Sequence, residues 1–230
     1  MSRKLFHLAL VLLVGSALRL ATAGEVVDRI VATVNGHPIL QSDWDEAVAY
    51  ETFADGRSPG AVTFDQRKAA LDRLIDQELV REQIEHGDFQ HASSEDVERR
   101  VQDIRKIHAE VADADGWRTA LQRYGLTESE LREKVAVELE EMRAIDAHLR
   151  PGVQIDSRSV ETYYHEKLLP ELRQSGGVEV PLEQVAPKIR ELLAQQRIND
   201  LLANWIRTLR SESDIRTPSA TAGHSGGGGR

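Results

Sequence analysis

The sequence predicts a mostly α-helical protein with a small N-terminal β-hairpin and a long C-terminal helix. Three observations support this fold class. Over most of the chain, apolar residues recur every three or four positions, as on the buried face of a helix. Two short apolar runs flank Asn35-Gly36, and residues 181–210 form one amphipathic stretch.

The hairpin is predicted from residues 30–40. Ile30 to Val34 reads as a strand, and Asn35-Gly36 is the preferred pair for a two-residue turn because both positions accept positive φ. Pro38 cannot donate a ladder hydrogen bond, which places the return strand at a sheet edge. Ser42 is then expected to cap the first helix.

Capping motifs mark the starts of three further helices. Thr63 and Gln66 form a capping box before a helix that extends to about residue 85, and Ser93 or Ser94 begins the next. Thr127 and Glu130 form a second capping box before a helix over residues 128–149. A short helix, residues 117–124, lies between the last two.

The C-terminal third carries two more helices. One is predicted at about residues 159–169, and residues 174–177 form a flexible break. In the last helix, residues 181–210, Pro187 is either the first helical position or the site of a kink. A short strand is expected at residues 214–216, and the Gly- and Ser-rich residues 217–230 are predicted to be a disordered tail.

Residues 1–23 have the features of a secretory signal peptide. Arg3 and Lys4 precede an apolar segment, and Ala21-Thr22-Ala23 is a small-residue cleavage site. The apolar segment is shorter than the roughly 20 residues that a membrane-spanning helix needs. These features predict a cleaved signal peptide and export to the periplasm. The alternative is an uncleaved membrane anchor.

Charge and cysteine content exclude several classes of function. The leader carries three basic residues and no acidic one, so its removal takes the formal net charge from −9 to −12. Such a charge disfavours binding to nucleic acid phosphates. The chain has no cysteine, which excludes disulfides, thiol catalysis and thiolate metal sites. No cofactor is predicted.

Three motifs occur in an order typical of one family. These are VNGHPILQSD (residues 34–43), LDRLIDQELVREQIEHGDF (71–89) and YGLTESELREKV (124–135). Together they resemble the hairpin, the second helix and the capped long helix of the SurA-type periplasmic chaperones. The resemblance covers roughly residues 25–218.

The resemblance implies a helical chaperone module, similar also to the C-terminal part of trigger factor. In that module the last helix packs back on the N-terminal part, and a terminal strand containing Ile215 pairs with the first hairpin. The implied activity is ATP-independent binding of unfolded polypeptides, typically outer-membrane proteins, in an apolar groove. Oligomeric state and clients are left open.

The parvulin prolyl isomerase domain of full-length members has no counterpart here. Residues 170–180 are too few for a domain, which needs roughly 50 residues or more. We therefore expect a protein that is not an enzyme. Two alternatives stay open, namely a prolyl isomerase with a degenerate site and an envelope assembly factor with a single partner.

The predicted organisation is a signal peptide (1–23), a helical module (24–216) and the tail (217–230). Within the module, an N-terminal part (24–170) and a C-terminal helix and strand (181–216) flank a linker (171–180).

Candidate peptide-binding residues are apolar and aromatic side chains that would line an apolar client groove; one of them, Trp117, begins a short helix after a turn and is expected to be half-exposed. They are Ile107, Val111, Trp117, Tyr124, Tyr163 and Tyr164. No catalytic or metal-binding residue is predicted. His165 begins a sequence like that of a zinc-protease helix, but no second histidine follows at the required spacing. Glu140 and Glu141 are adjacent and would point in different directions on a helix.

Overall fold

The computed structural model describes residues 28–84, 91–108 and 113–218. The expected leader and nearly all of the expected tail lie outside these ranges. The described elements, in chain order, are β1 (Ile30–Val34), β2 (His37–Leu40), α1 (Gln41–Ala54), α2 (Phe64–Ile84), α3 (Ser94–Ile107), α4 (Ala114–Gln122), α5 (Glu128–Leu149), α6 (Ser157–Tyr163, a π-helical turn Tyr164–Leu168, and Leu169–Ser175), α7 (Leu182–Glu212) and β3 (Ile215–Arg216).

The mostly helical fold class is confirmed. Among the described residues, no helix combines the length with the apolar character needed to cross a bilayer. Two short 3₁₀ turns, Pro59–Ala61 and Arg150–Gly152, complete the helical structure.

The hairpin forms at the predicted turn and is joined by the C-terminal strand. Asn35 and Gly36 have φ values of 50° and 92°, as a mirror-image turn requires. The strand order is β2-β1-β3, so Pro38 lies on an edge strand. Val34 pairs with Ile215, and the backbone N–H of Asn35 donates to the carbonyl oxygen of Asp214 at 2.9 Å. The pairing expected from the resemblance is therefore confirmed.

The start of α1 differs from the prediction. The helix begins at Gln41, directly after β2, so Ser42 already lies inside the first turn. The Asp43 carboxylate accepts the Leu40 backbone N–H at 2.8 Å instead. The Ser42 hydroxyl donates to the Asp28 carboxylate, which ties the start of the helix to the chain before β1. The prediction of a Ser42 cap was wrong because the strand continues into the helix without a connecting residue.

The other predicted caps are present. The Thr63 hydroxyl accepts the Gln66 N–H at 3.2 Å, and the Gln66 side chain accepts the Thr63 N–H at 2.8 Å. Thr127 and Glu130 repeat this exchange at 3.2 and 2.7 Å. Ser93 accepts the N–H of Asp96 at 3.1 Å. Each cap satisfies helix N–H groups that have no partner inside the helix.

Within the described part of the chain, three clusters of buried apolar residues make up the core. The first cluster joins the end of α1 to α3, α4 and the start of α5; its buried members are Phe53, Val101, Ile104, Trp117, Ala120, Leu121, Leu126, Leu131 and Val135. The second joins the sheet, α2 and the C-terminal half of α7; its buried members are Val31, Ala32, Val34, Ile39, Ile75, Leu79, Val80 and Leu209.

The third cluster lies at the other end of α7. It packs α6 against the N-terminal half of that helix around Val160, Tyr164, Leu169 and Ile189. The 31 residues of α7 span about 46 Å, at 1.5 Å per residue, so one helix belongs to two clusters. Near the end of α5, the ring of His148 stacks on that of Trp205 at 4.6 Å. The expected return of the last helix onto the N-terminal part is confirmed.

One helix boundary in the C-terminal third was predicted incorrectly, and one of the two alternatives for Pro187 is excluded. Helical structure begins at Ser157 and continues to Ser175, where Gly176 ends it with φ of 69°. The expected linker is therefore partly helical. Pro187 is the sixth residue of α7 rather than its first position, and the helix continues through it.

Candidate functional site

An open groove lies between α1, α2 and α5, with β2 at one end. Its volume is about 920 Å³. Both charged side chains and small or apolar side chains line it. The apolar and small lining residues are Pro38, Ile39, Ala47, Ala54, Ala69, Leu74 and Val137.

Helical spacing explains why α1 presents this surface. Ala47, Tyr50, Glu51 and Ala54 recur at intervals of three and four residues and therefore share one face of the helix. The alanines leave space beside the backbone, whereas a larger side chain would fill the groove. The result is a depression whose depth depends on small residues.

Polar side chains connect the two walls across the groove. The Tyr50 hydroxyl on α1 donates to the Glu138 carboxylate on α5, and Arg100 of α3 donates to the same carboxylate at 3.3 Å. Lys134 Nζ lies 2.8 Å from a carboxylate oxygen of Glu46. The helices α1 and α5 are therefore separated by a gap that side-chain contacts bridge, without close contact between the two helix backbones.

Burial shifts the titration of two groups in the groove. It raises the pKa of Tyr50, and the neighbouring Glu138 carboxylate adds to that rise. Burial also raises the pKa of Glu141, although the hydrogen bond that its carboxylate accepts from the Gln77 amide at 3.1 Å acts in the opposite direction. Both shifts favour the neutral form, because burial penalises the charged form of each group.

The groove is almost neutral although the chain is acidic. Six carboxylates line it, those of Asp43, Glu51, Asp55, Glu78, Glu138 and Glu141. Five cations face them, on Arg57, Arg73, Arg81, Arg100 and Lys134. Since opposite charges are interspersed, the groove does not select a ligand by net charge.

Val137 is the large apolar side chain that the groove leaves most open, at 56% exposure. Met142, on the same helix, is 55% exposed but does not line the groove. Val137 and Met142 therefore have nearly the same exposure, but only Val137 lies in the groove.

The residues predicted to bind peptide are distributed over two clusters. Ile107 is 51% exposed and packs over Gly56, beside the end of α1. Trp117 is buried at 2% exposure, so the expected partial exposure was wrong. Its ring lies 5.3 Å from that of Phe53 in the first cluster. Tyr124 packs on the same cluster and donates its hydroxyl to the Arg57 carbonyl oxygen at 2.7 Å.

Tyr163 and Tyr164 belong to the third cluster. Tyr164 is buried, and its hydroxyl donates to the Val180 carbonyl oxygen at 2.8 Å. Val111 lies outside the described residues. The structure therefore does not bring these residues together in one groove, and peptide contact by any of them stays a prediction.

His108 and Glu140 have structural partners. His108 is buried, and its Nε2 donates to the Phe53 carbonyl oxygen at 2.8 Å while its ring stacks on that of Phe53 at 4.2 Å. Glu140 accepts the Ala92 backbone N–H at 3.0 Å and lies 3.1 Å from Nδ1 of His91, contacts that lower the pKa of Glu140. These contacts fix the start of α3 against α5.

One group of potential metal ligands lies next to the groove. Nδ1 of His37 lies 3.0 Å from one carboxylate oxygen of Glu78 and 3.0 Å from one of Glu82. The sequence did not indicate this group because His37 is more than 40 positions from the two acids. The sequence feature that could have indicated this group is the pair of glutamates four residues apart on α2.

The groove itself was also missed from the sequence. Its lining is dominated by charged residues, which read in a sequence as a solvated helix face. The alanines at 47, 54 and 69, on facing sides of α1 and α2, were the signal for a depression between these helices.

A family model described as the SurA-like N-terminal domain matches residues 4–145, which end within α5 and include every residue that lines the groove. No curated protein matches the chain. Because the match covers more than half of the sequence, this chain belongs to the SurA-like N-terminal domain family.

Proposed function

We propose that the protein is an ATP-independent chaperone that binds unfolded polypeptide segments in the groove between α1, α2 and α5. The observation that carries the proposal is the groove itself, which is lined by apolar side chains together with charged side chains of both signs. Family membership supports a chaperone-like role.

Apolar burial explains how such a groove accepts many sequences. Burial contributes about 25 cal/mol per Å² and has no directional requirement, so side chains of different shapes gain from the same surface. The arginines and carboxylates can exchange their partners for backbone or side-chain groups of a bound segment. Unfolded outer-membrane polypeptides, whose strands alternate apolar and polar residues, are the client class we infer.

The inferred compartment is the periplasm. This rests on residues 1–23, with their basic start, apolar segment and small-residue cleavage site. We further infer a binding protein without catalytic activity, because residues 170–180 leave no room for an isomerase domain.

Aggregation of a urea-unfolded outer-membrane β-barrel protein tests the proposal. On dilution from urea, light scattering should fall when the chaperone is present between equimolar and tenfold excess. Val137→Glu should weaken this suppression, because a charge would occupy the apolar part of the groove. Met142→Glu adds the same charge to the same helix, outside the groove, and should leave suppression unchanged.

A chain that fails to suppress aggregation at tenfold excess contradicts the proposed function. Equal loss in both variants contradicts the placement of the site in the groove. Isomerisation of a proline peptide, measured on the same preparation, should not exceed the uncatalysed rate. A catalysed rate would favour the isomerase alternative.

A further inference from the structure

His37, Glu78 and Glu82 come from two elements and meet beside the turn of the hairpin. His37 is the first residue of β2, and the two glutamates lie one turn apart on α2. The potential ligand atoms of the three side chains all lie within 4.8 Å of one another. His37 is 58% exposed at its side chain, whereas each glutamate side chain is 15% exposed.

We propose that these three side chains bind a zinc ion that fastens the hairpin to α2. Imidazole nitrogen and carboxylate oxygen are both zinc ligands, at about 2.0–2.2 Å. In tetrahedral geometry those bond lengths place two ligand atoms about 3.3 Å apart. Nδ1 of His37 is now 3.0 Å from one oxygen of each carboxylate, so these two pairs need to separate by only a few tenths of an ångström, and the two carboxylates themselves lie within 4.8 Å of each other.

The charges of the three side chains suit a divalent cation. Two carboxylates and a neutral imidazole balance the charge of Zn²⁺, and the Arg81 guanidinium beside Glu78 adds one positive charge outside the three ligands. Three protein ligands leave a fourth position for water, as in open zinc sites. The acidic chain, with a formal net charge of −9, also raises the local concentration of cations.

Neighbouring groups already orient both carboxylates. The Asn35 amide donates to Glu82 Oε2 at 2.6 Å and leaves Oε1 directed at His37. Arg81 Nε and Nη2 donate to the two oxygens of Glu78 at 3.0 and 2.7 Å. Such outer contacts fix the geometry of metal ligands, and they reduce the ordering that zinc binding would otherwise require.

Zinc at this position would also stabilise the junction between the two ends of the chain. The Asn35 side-chain oxygen accepts the Asp214 backbone N–H at 2.9 Å, next to β3. The turn that orients Glu82 therefore holds the C-terminal strand as well. We expect zinc to protect both the hairpin and β3 from local unfolding.

Calorimetric titration of the chelator-treated, untagged protein with zinc chloride tests the site. The parent should bind one equivalent. His37→Ala and Glu82→Gln should each weaken zinc affinity by about tenfold or more, since even the loss of an outer contact costs that much in metal sites. The matched control is His91→Ala, which removes an exposed histidine paired with a single carboxylate, Glu140. It should bind zinc as the parent does.

Thermal unfolding gives a second measurement on the same proteins. Zinc should raise the unfolding temperature of the parent and of His91→Ala, and it should leave His37→Ala unchanged. Unfolding temperatures measured with chelator establish that each variant is folded. The proposal is overturned if the parent binds no zinc, or if His37→Ala binds zinc with the parent's affinity.

Discussion

Arg210 Nε lies 2.5 Å from a carboxylate oxygen of Asp76, although 134 positions separate the two residues. The same guanidinium donates to the Asp72 carbonyl oxygen at 2.8 Å. These bonds attach the last turn of α7 to the middle of α2, beside the second apolar cluster. They raise the pKa of Arg210, chiefly through the hydrogen bond to Asp76.

Asp76→Ala should lower the free energy of unfolding by about 1 kcal/mol, the scale of a partly exposed charge-assisted hydrogen bond. Urea titration followed by circular dichroism measures it. Asp103→Ala is the matched control, because Asp103 pairs with Lys106 on a single helix and at higher exposure. The control should change stability by less than about 0.5 kcal/mol. If both variants change the free energy of unfolding equally, the α2–α7 contact contributes no more to stability than an ion pair within one helix.

Leu209→Ala should lower the free energy of unfolding by about 2–4 kcal/mol, because a buried leucine would be replaced by a cavity. Leu209 is 7% exposed and packs in the second cluster. Leu192→Ala changes the same residue type in the same helix at 41% exposure and should cost about 0.5 kcal/mol or less. If Leu209→Ala costs no more than Leu192→Ala in urea titration, α7 does not close the core.

Pro187→Ala should stabilise the protein by about 1–3 kcal/mol. A proline inside a helix removes one backbone hydrogen bond and crowds the carbonyl four residues earlier, here that of Glu183. The control is Pro181→Ala, which lies just before the first residue of α7 and blocks no helical hydrogen bond. Differential scanning calorimetry should show a higher unfolding temperature for Pro187→Ala alone. A decrease would show that Pro187 is needed for packing against α6.

Glu141→Gln should stabilise the protein at pH 7.5. Since burial raises the pKa of Glu141 above its unfolded value, the ionised carboxylate costs stability above the folded pKa. That cost disappears once pH falls below the unfolded pKa of about 4.3. The amide can still accept the bond from Gln77. Urea midpoints should therefore rise at pH 7.5 and rise less at pH 4.

Glu140, the adjacent residue, provides a control in which the pKa shift and the expected change in stability have the opposite sign. The backbone N–H of Ala92, followed by His91, lowers the pKa of Glu140, so its charged form contributes stability above the unfolded pKa. That contribution is lost as pH falls through the folded pKa. Glu140→Gln should therefore destabilise the protein at pH 7.5. Changes of the same sign in both variants would contradict this account of the two carboxyls.

Local sequence signals predicted the helix starts well. Thr63 with Gln66 and Thr127 with Glu130 each make their cap within four residues, so no tertiary information is needed. Ser42 failed as a cap because its role depends on how β2 enters α1, and on Asp28, which lies 14 positions away. The family resemblance, rather than local pattern, supplied the pairing of Ile215 with Val34.

The candidate site was much less predictable. Trp117 was expected to be half-exposed because it follows a turn, but its ring is enclosed by Phe53 and by Arg105, whose guanidinium lies 5.3 Å above it. The groove depends on the separation of α1 and α5, which Tyr50 and Glu138 maintain across 88 positions. Sequence periodicity reports which face of a helix is apolar and gives no information on the distance between two helices.

Site-specific photo-crosslinking tests the central claim most directly. A benzoylphenylalanine placed at position 137, inside the groove, is compared with one at position 142, equally exposed on the same helix. With an unfolded outer-membrane polypeptide present, we expect crosslinked adducts from position 137 and few or none from position 142. Equal labelling at both positions, or labelling at 142 alone, would contradict client binding in the groove between α1, α2 and α5.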